Sequence, residues 1–223
     1  EALLRWTPAG EAPVPPDIFV PILEESGMIV AVGEWVLWQT CRQAVAWQKL
    51  GLPKLRMSVN ISPLQFMRSD LDKTVKRVLE AAGLDPHSLC LELTESMIMA
   101  DSSLTLEKMT ALADIGVILS LDDFGTGYSS LEYLGRLPIN ELKIDMSFVR
   151  RMLTTKNDAA VVNTIIAMGQ GLEMNLVAEG VETVEQLQYL AARECGVIQG
   201  YYFSRPLPPD KLVHFCREWQ LNS

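Results

Sequence analysis

The chain has 223 residues, enough for one large domain or two small ones, with the 48% hydrophobic and 21% charged content of an ordinary folded protein. A net charge of −9 argues against a nucleic-acid-binding face, which needs a basic surface. Two histidines and four scattered cysteines (Cys41, Cys90, Cys195, Cys216), with no CxxC pair, argue against structural zinc and suit a reducing compartment.

The proline- and glycine-rich segment Ala9 to Pro16 reads as a loop entering a helix. The most apolar stretch, Met28 to Trp38, is interrupted by Gly33 and Glu34 and is too short to span a bilayer. Leu37, Cys41, Ala44 and Val45 share one face of a helix that stops near Gly51. Leu71, Val75, Val78, Leu79 and Ala82 repeat this spacing, with Ser69 or Asp70 as the cap and Gly83 as the stop. Val161, Ile165 and Met168 mark another helix. Thr183 and Gln186 form a capping box before Leu187, Leu190 and Ala191. Leu212, Phe215, Cys216 and Trp219 mark the last helix, and the tryptophans and methionines read as core.

Strand candidates lie between the helices, at Leu55–Asn60, Leu89–Leu93, Val117–Asp122, Ile139–Asp145, Asn175–Glu179 and Val197–Gln199. This alternation predicts parallel βα units in a barrel or a doubly wound sheet. Parity favours the barrel. Leu55, Met57 and Val59 alternate with Arg56, Ser58 and Asn60, and Leu89, Leu91 and Leu93 alternate with Cys90 and Glu92. Ser120 shares a face with Asp122, and Glu141 with Lys143 and Asp145. One apolar and one polar face suit strands with helices outside and polar groups inside.

The strand ends carry the chemistry: Asn60, Glu92, Asp122 with Asp123, Lys143 with Asp145, Glu179 and Gln199. In a (β/α)8 barrel these ends share the face where catalytic residues gather, and Glu1 is a candidate to join them. A lone acid at a strand end is usually a solvated loop residue or a helix cap. Several at the same end of consecutive strands are a different matter. One lysine cannot offset their repulsion, and oxygen-only donors suit Mg²⁺ or Mn²⁺. Asp122 and Asp123 are placed to feed two ions, which could clamp a phosphate and activate a water. Against this stand plainer readings: Gly125, Gly127 and Ser129 as turn residues, Glu95 and Glu182 as loop or capping groups, and Arg5 as a surface ion-pair partner.

These residues resemble the signature of the EAL-domain cyclic di-GMP phosphodiesterases. The matching segments are Glu1-Ala2-Leu3-Leu4-Arg5-Trp6, Val59-Asn60-Ile61-Ser62 with Gln65, and Glu92-Leu93-Thr94-Glu95. They continue with Asp122-Asp123-Phe124-Gly125-Thr126-Gly127-Tyr128-Ser129-Ser130, Leu142-Lys143-Ile144-Asp145, Ala178-Glu179-Gly180-Val181-Glu182-Thr183 and Gln199-Gly200-Tyr201. The resemblance implies a single α/β domain over 1–223, a modified (β/α)8 TIM-like barrel with one antiparallel strand. The family's strand before Glu1 would be missing from this chain, which would be a C-terminal piece of a larger signalling protein.

The implied reaction is two-metal hydrolysis of cyclic di-GMP to linear pGpG, with Mg²⁺ or Mn²⁺ active and Ca²⁺ inhibitory. By resemblance Glu1, Asn60, Glu92 and Asp122 bind one ion, and Asp122, Asp123 and Glu179 the other. Lys143, Glu179, Asp123 and Glu182 are the implied catalytic group, with Lys143 orienting the attacking water and Glu182 supporting Lys143 or the loop. Leu3, Arg5, Gln65, Asp145 and Gln199 are implied to meet substrate or its water network. Glu95, Gly125 and Thr126 support the loop after Asp123. The expected partners are cyclic di-GMP, a second copy in a homodimer, and a covalently linked upstream sensor or GGDEF-type domain. No nucleic-acid polymer and no membrane contact by this domain are expected, and the expected location is cytoplasmic, with the domain free to belong to a membrane-anchored protein. Two other functions compete: a catalytically silent cyclic di-GMP sensor, which would lack some of the acidic set, and a one-metal enolising barrel enzyme, which would not need the Asp-Asp pair.

Overall fold

The computed structural model describes residues 1–68, 70–98, 103–125 and 131–222. Ser69, Thr126, Gly127, Tyr128, Ser129 and Ser130 lie outside the described residues. In chain order the elements are α1 (Pro16–Glu25), α2 (Ile29–Lys49), β1 (Met57–Asn60), α3 (Pro63–Arg68), α4 (Leu71–Ala82), β2 (Leu89–Thr94), α5 (Glu95–Ile98) and α6 (Ser103–Ile115). They continue with β3 (Ile118–Phe124), α7 (Leu131–Leu134), β4 (Glu141–Ile144), α8 (Met146–Arg151), α9 (Lys156–Gly171), β5 (Asn175–Ala178), α10 (Val184–Ala191), β6 (Val197–Ile198) and α11 (Pro209–Asn222). The strands lie in the sheet in sequence order, β1 to β6.

Contacts gather into two compact units. The first is Glu1–Leu91, Ala111–Val117 and Pro208–Ser223; the second is Glu92–Thr110 and Ile118–Leu207. Both β2 and α6 run through the division, so no linker marks it in the sequence.

The first unit is built on α2, which buries Gly33, Leu37, Thr40, Cys41, Ala44 and Trp47 along one stripe at three- and four-residue spacing. α4 buries Leu71, Val75, Val78 and Leu79 and packs on α2. It ends at Gly83, whose φ of 70° allows its N–H to close on the Leu79 carbonyl at 2.9 Å. At the start of the chain, Ala2 N–H donates to the Ser58 carbonyl at 2.8 Å and forms a parallel bridge with Val59 of β1. Trp6 bridges Val14 in the antiparallel sense before α1 begins.

In the second unit β3, β4, β5 and β6 pair in parallel. The reversed strand that the resemblance implies is not among these pairings. Leu119, Leu121, Leu142, Ile144, Val177 and Ala178 form the apolar strand core, with Val162, Ile165 and Ile166 buried on α9. The polar parity set is buried as well: Glu92, Ser120, Asp122, Glu141 and Lys143 are all at most 9% exposed. The polar face is therefore an interior, as the barrel reading requires.

No disulfide joins the four cysteines. Burial pushes the Cys41 and Cys195 thiols up to about 11, so they stay protonated and pack as small apolar groups. Among the described residues no helix is long and apolar enough to cross a membrane.

Two glycines test this packing in opposite directions. A Cβ on Gly200 would lie 2.1 Å from the Val181 carbonyl oxygen and 2.3 Å from its nitrogen, both backbone atoms that cannot swing away. Gly200→Ala should cost about 1–3 kcal/mol, the usual range for overpacking. Gly171, the last residue of α9, has nothing within 4 Å of such a Cβ. Gly171→Ala should gain about 0.4–1 kcal/mol by restricting the unfolded chain. Urea denaturation of both variants measures the contrast, and equal stabilities would refute it.

Candidate active site

The sheet register explains how two consecutive aspartates reach one place. Ser120 opposes Glu141 and Leu121 opposes Leu142, but the next pair is Phe124 with Ile144. Asp122 and Asp123 together therefore oppose Lys143 alone, which is a β-bulge. In a regular strand these neighbours would point to opposite faces. The bulge is made by Asp123, whose φ of 55° lies in the left-handed region that aspartate tolerates better than most residues. Its N–H donates to Asp122 Oδ1 at 3.0 Å. Gly125 follows at φ 98°, and its N–H donates to Glu95 Oε2 at 3.2 Å. The buried Glu95 thus bonds the backbone directly after β3.

Lys143 is the centre of the cluster. Its ammonium is 2.6 Å from Glu179 Oε1, 2.9 Å from Glu92 Oε1 and 3.3 Å from Asp122 Oδ1, and the residue is 1% exposed. β4 delivers Lys143 opposite Val177 of β5, and Glu179 N–H donates to the Ile144 carbonyl at 3.2 Å, setting Glu179 just beyond the end of β5. Asp145 caps α8, with Oδ1 accepting from the Ser147 backbone N–H at 3.0 Å and from the Ser147 hydroxyl. Asp123 also hydrogen-bonds Asp145 through its side chain. The Asp123 carboxyl is pushed above its ordinary value, first by partial withdrawal from water and then by the charges of Asp122 and Asp145, while Lys143 opposes the shift.

The second unit therefore brings together Glu92, Asp122, Asp123, Asp145 and Glu179 around Lys143. The first unit brings together Glu1 and Asn60, with Asn60 Nδ2 donating to Glu1 Oε1 at 2.8 Å. Leu3 and Arg5 are exposed beside that pair in sequence, and Arg5 donates to the neighbouring Leu4 carbonyl. Gln65 is 3% exposed and lies against Gly33 of α2, so its side chain is a packing element of the first unit. Gln199 is tied by its backbone: its N–H donates to the Ala178 carbonyl at 2.8 Å and its carbonyl accepts from Val181. Glu182, expected to support Lys143 or the loop, ion-pairs with Arg150 of α8 at 3.1 Å.

Sequence reasoning passed over three supporting groups. Ser147 could have been found from the Asp-x-Ser pattern of an N-cap turn. Arg150, a partner 32 residues before Glu182, had no local signal. Gln186 was read only as half of a capping box, yet its amide also bonds Glu182 N–H and the Val149 carbonyl.

An ion must fit this donor set. Among the described residues, no three carboxylate, imidazole or thiol groups already surround one point as a preformed metal site. Lys143 stands in the middle instead. The donors are nevertheless all oxygen, the acids outnumber the single ammonium, and the repulsion felt by Asp123 is what a divalent cation would relieve. Mg²⁺ or Mn²⁺ fits this chemistry, and zinc does not.

The EAL domain family model matches residues 1–206 of the chain. The oxygen sensor protein DosP of Escherichia coli strain K12 is 45% identical over 212 residues, covering 95% of this chain and 26% of DosP. The bifunctional diguanylate cyclase/cyclic di-GMP phosphodiesterase MucR of Pseudomonas aeruginosa is 43% identical over 213 residues, covering 96% of this chain and 31% of MucR. The cyclic di-GMP phosphodiesterase NbdA of the same organism is 41% identical over 223 residues, covering the whole chain and 28% of NbdA. The chain thus spans a quarter to a third of the length of these relatives. A solved structure of the MucR phosphodiesterase in complex with c-di-GMP matches with a TM-score of 0.90 at 43% identity, covering 94% of this chain and 85% of that one. The fold is therefore the (β/α) barrel-like fold of these domains.

The ion-pair geometry predicts what losing the ammonium does. Lys143→Met leaves Glu92, Asp122 and Glu179 without their cation and should cost about 3–5 kcal/mol, as for other buried pairs broken on one side. Millimolar Mg²⁺ or Mn²⁺ should recover part of that loss. Thermal denaturation with and without metal reads both effects, and a variant as stable as the parent would show that the cluster does not depend on Lys143.

Proposed function

The chain belongs to the EAL domain family, and from that premise we propose that it hydrolyses cyclic di-GMP to linear pGpG with two divalent metal ions. The observation that carries the proposal is the cluster itself: Lys143 held by Glu92, Asp122 and Glu179, with Asp123 turned into the same region by the bulge. A catalytically silent sensor would be expected to lack some of this acidic set.

Glu92, Asp122, Asp123 and Glu179 would hold the ions. Bound Mg²⁺ or Mn²⁺ would supply positive charge to the phosphate and acidify a water nucleophile. The protein's own part is orientation. Lys143 holds the carboxylates of Glu92, Asp122 and Glu179 with its three N–H donors, so it would meet a water or a phosphate oxygen by exchanging one of them. Asp123, with its carboxyl held above the usual range, would be helped to ionise by a neighbouring cation. Adding water across one of the two phosphodiester bonds opens the ring and leaves a single terminal phosphate.

Purified protein incubated with cyclic di-GMP and Mg²⁺ or Mn²⁺ should give pGpG by chromatography. Chelation should stop turnover. Ca²⁺ should inhibit, because its looser and higher coordination spoils the attack geometry. Glu179→Gln should remain folded and lose turnover by about 100-fold or more, the scale of a misplaced reacting group. Tight cyclic di-GMP binding by the parent protein with no product under any of these metals would favour the sensor reading.

A further inference from the structure

Resting on the phosphodiesterase reading, we propose that Gln186 is a positioning residue for Glu179, fixing the segment after β5 to α8 so that the ion pair with Lys143 keeps its geometry. Three ties hold this segment. Gly180, at φ 67°, lets the backbone approach Met146 so closely that a Cβ would fall 2.5 Å from the Met146 Cβ. Arg150 and Glu182 ion-pair at 3.1 Å, but their side chains are 49% and 42% exposed, so water and salt screen the attraction. The third tie is Gln186, which is 6% exposed.

The Gln186 amide makes three bonds. Its Oε1 accepts from Glu182 N–H at 2.8 Å and from Thr183 N–H at 3.1 Å, and its Nε2 donates to the Val149 carbonyl at 3.3 Å. A capping box needs only the bond to Thr183 N–H, together with the Thr183 hydroxyl accepting from Gln186 N–H at 3.3 Å. The bonds to Glu182 and Val149 exceed what a helix cap requires. Val149 belongs to α8, which leaves β4 just after Lys143, and the bonded loop leaves β5 at Glu179. One buried amide therefore couples the exits of the two strands whose side chains meet at 2.6 Å. Removing it would leave two loop N–H groups and one carbonyl without this partner in a sheltered place.

Two variants separate positioning from capping. Thr183→Ala deletes the hydroxyl that caps Gln186 N–H and leaves all three amide bonds in place. Gln186→Ala deletes the amide bonds and leaves the hydroxyl. Both should lower Tm by about 2–4 °C, the shift expected for a modest stability loss in a chain of this size. Only Gln186→Ala should lower kcat, by about 10- to 100-fold, with KM for cyclic di-GMP little changed. Gln186→Glu keeps both acceptor bonds and loses the donor to Val149, so it should recover part of kcat. Hydrogen exchange provides a readout without turnover. The amides of Glu179 and Val181, which bond the Ile144 and Gln199 carbonyls rather than Gln186, should exchange faster in Gln186→Ala than in Thr183→Ala. A folded Gln186→Ala protein with the parent kcat overturns the proposal, as does equal exchange in the two variants. If the parent protein makes no pGpG, the phosphodiesterase reading falls, and the exchange comparison still decides whether Gln186 positions Glu179.

Discussion

One buried ammonium governs this structure. Lys143 is among the largest fully buried side chains, and it contacts Glu92, Asp122 and Glu179 within 3.3 Å. A buried charge of this kind is tolerable only when paired, and each of the three carboxylates is tolerable largely because of Lys143. The arrangement still carries excess negative charge, since Asp123 and Asp145 stand beside it. That residue of repulsion is what a bound divalent cation would relieve.

The backbone delivers these groups by a local irregularity. Alternation along a strand makes it impossible for neighbours in sequence to share a face, so an Asp-Asp pair in a regular β3 would place one carboxylate at the cluster and send the other away. The bulge opposite Lys143 removes that restriction by spending one left-handed residue. The strain of a non-glycine residue at φ 55° is offset by the bond from Asp123 N–H to Asp122 and by the Glu95 anchor on Gly125 immediately downstream. An irregular backbone beside a charged cluster is a common mark of function, because fold stability alone gives no reason to maintain it.

Much of this was legible in the sequence. Periodicity placed the buried faces of α2 and α4 and the Gly83 stop, and strand parity identified Glu92, Asp122 and Lys143 as one polar set. Those signals are local, with periods of two or about 3.6 residues, and survive in a linear reading. The bulge was not legible, because register is a property of two strands and nothing near Asp122 and Asp123 encodes Lys143 as their common partner. The division into two units was also hidden, since it cuts through β2 and α6 instead of a flexible linker. Gln65 shows a third kind of loss. Its burial in the niche left by the missing side chain of Gly33, 32 residues earlier, has no local signal.

The remaining support for the site is neutral, and this follows from the same electrostatics. Ser147 holds Asp145, the Gly125 N–H holds Glu95, and the Gln186 amide holds the loop after Glu179. A lysine or arginine in any of these places would add positive charge to the cluster and compete with metal ions for the carboxylates. Neutral donors orient the acids, or the backbone that carries them, without quenching the charge that draws a cation. The ionic tie between Arg150 and Glu182 lies at the exposed edge, where solvent screens it. Full-charge pairing inside and dipolar support around it therefore fix the acids in place while the cluster as a whole stays negative.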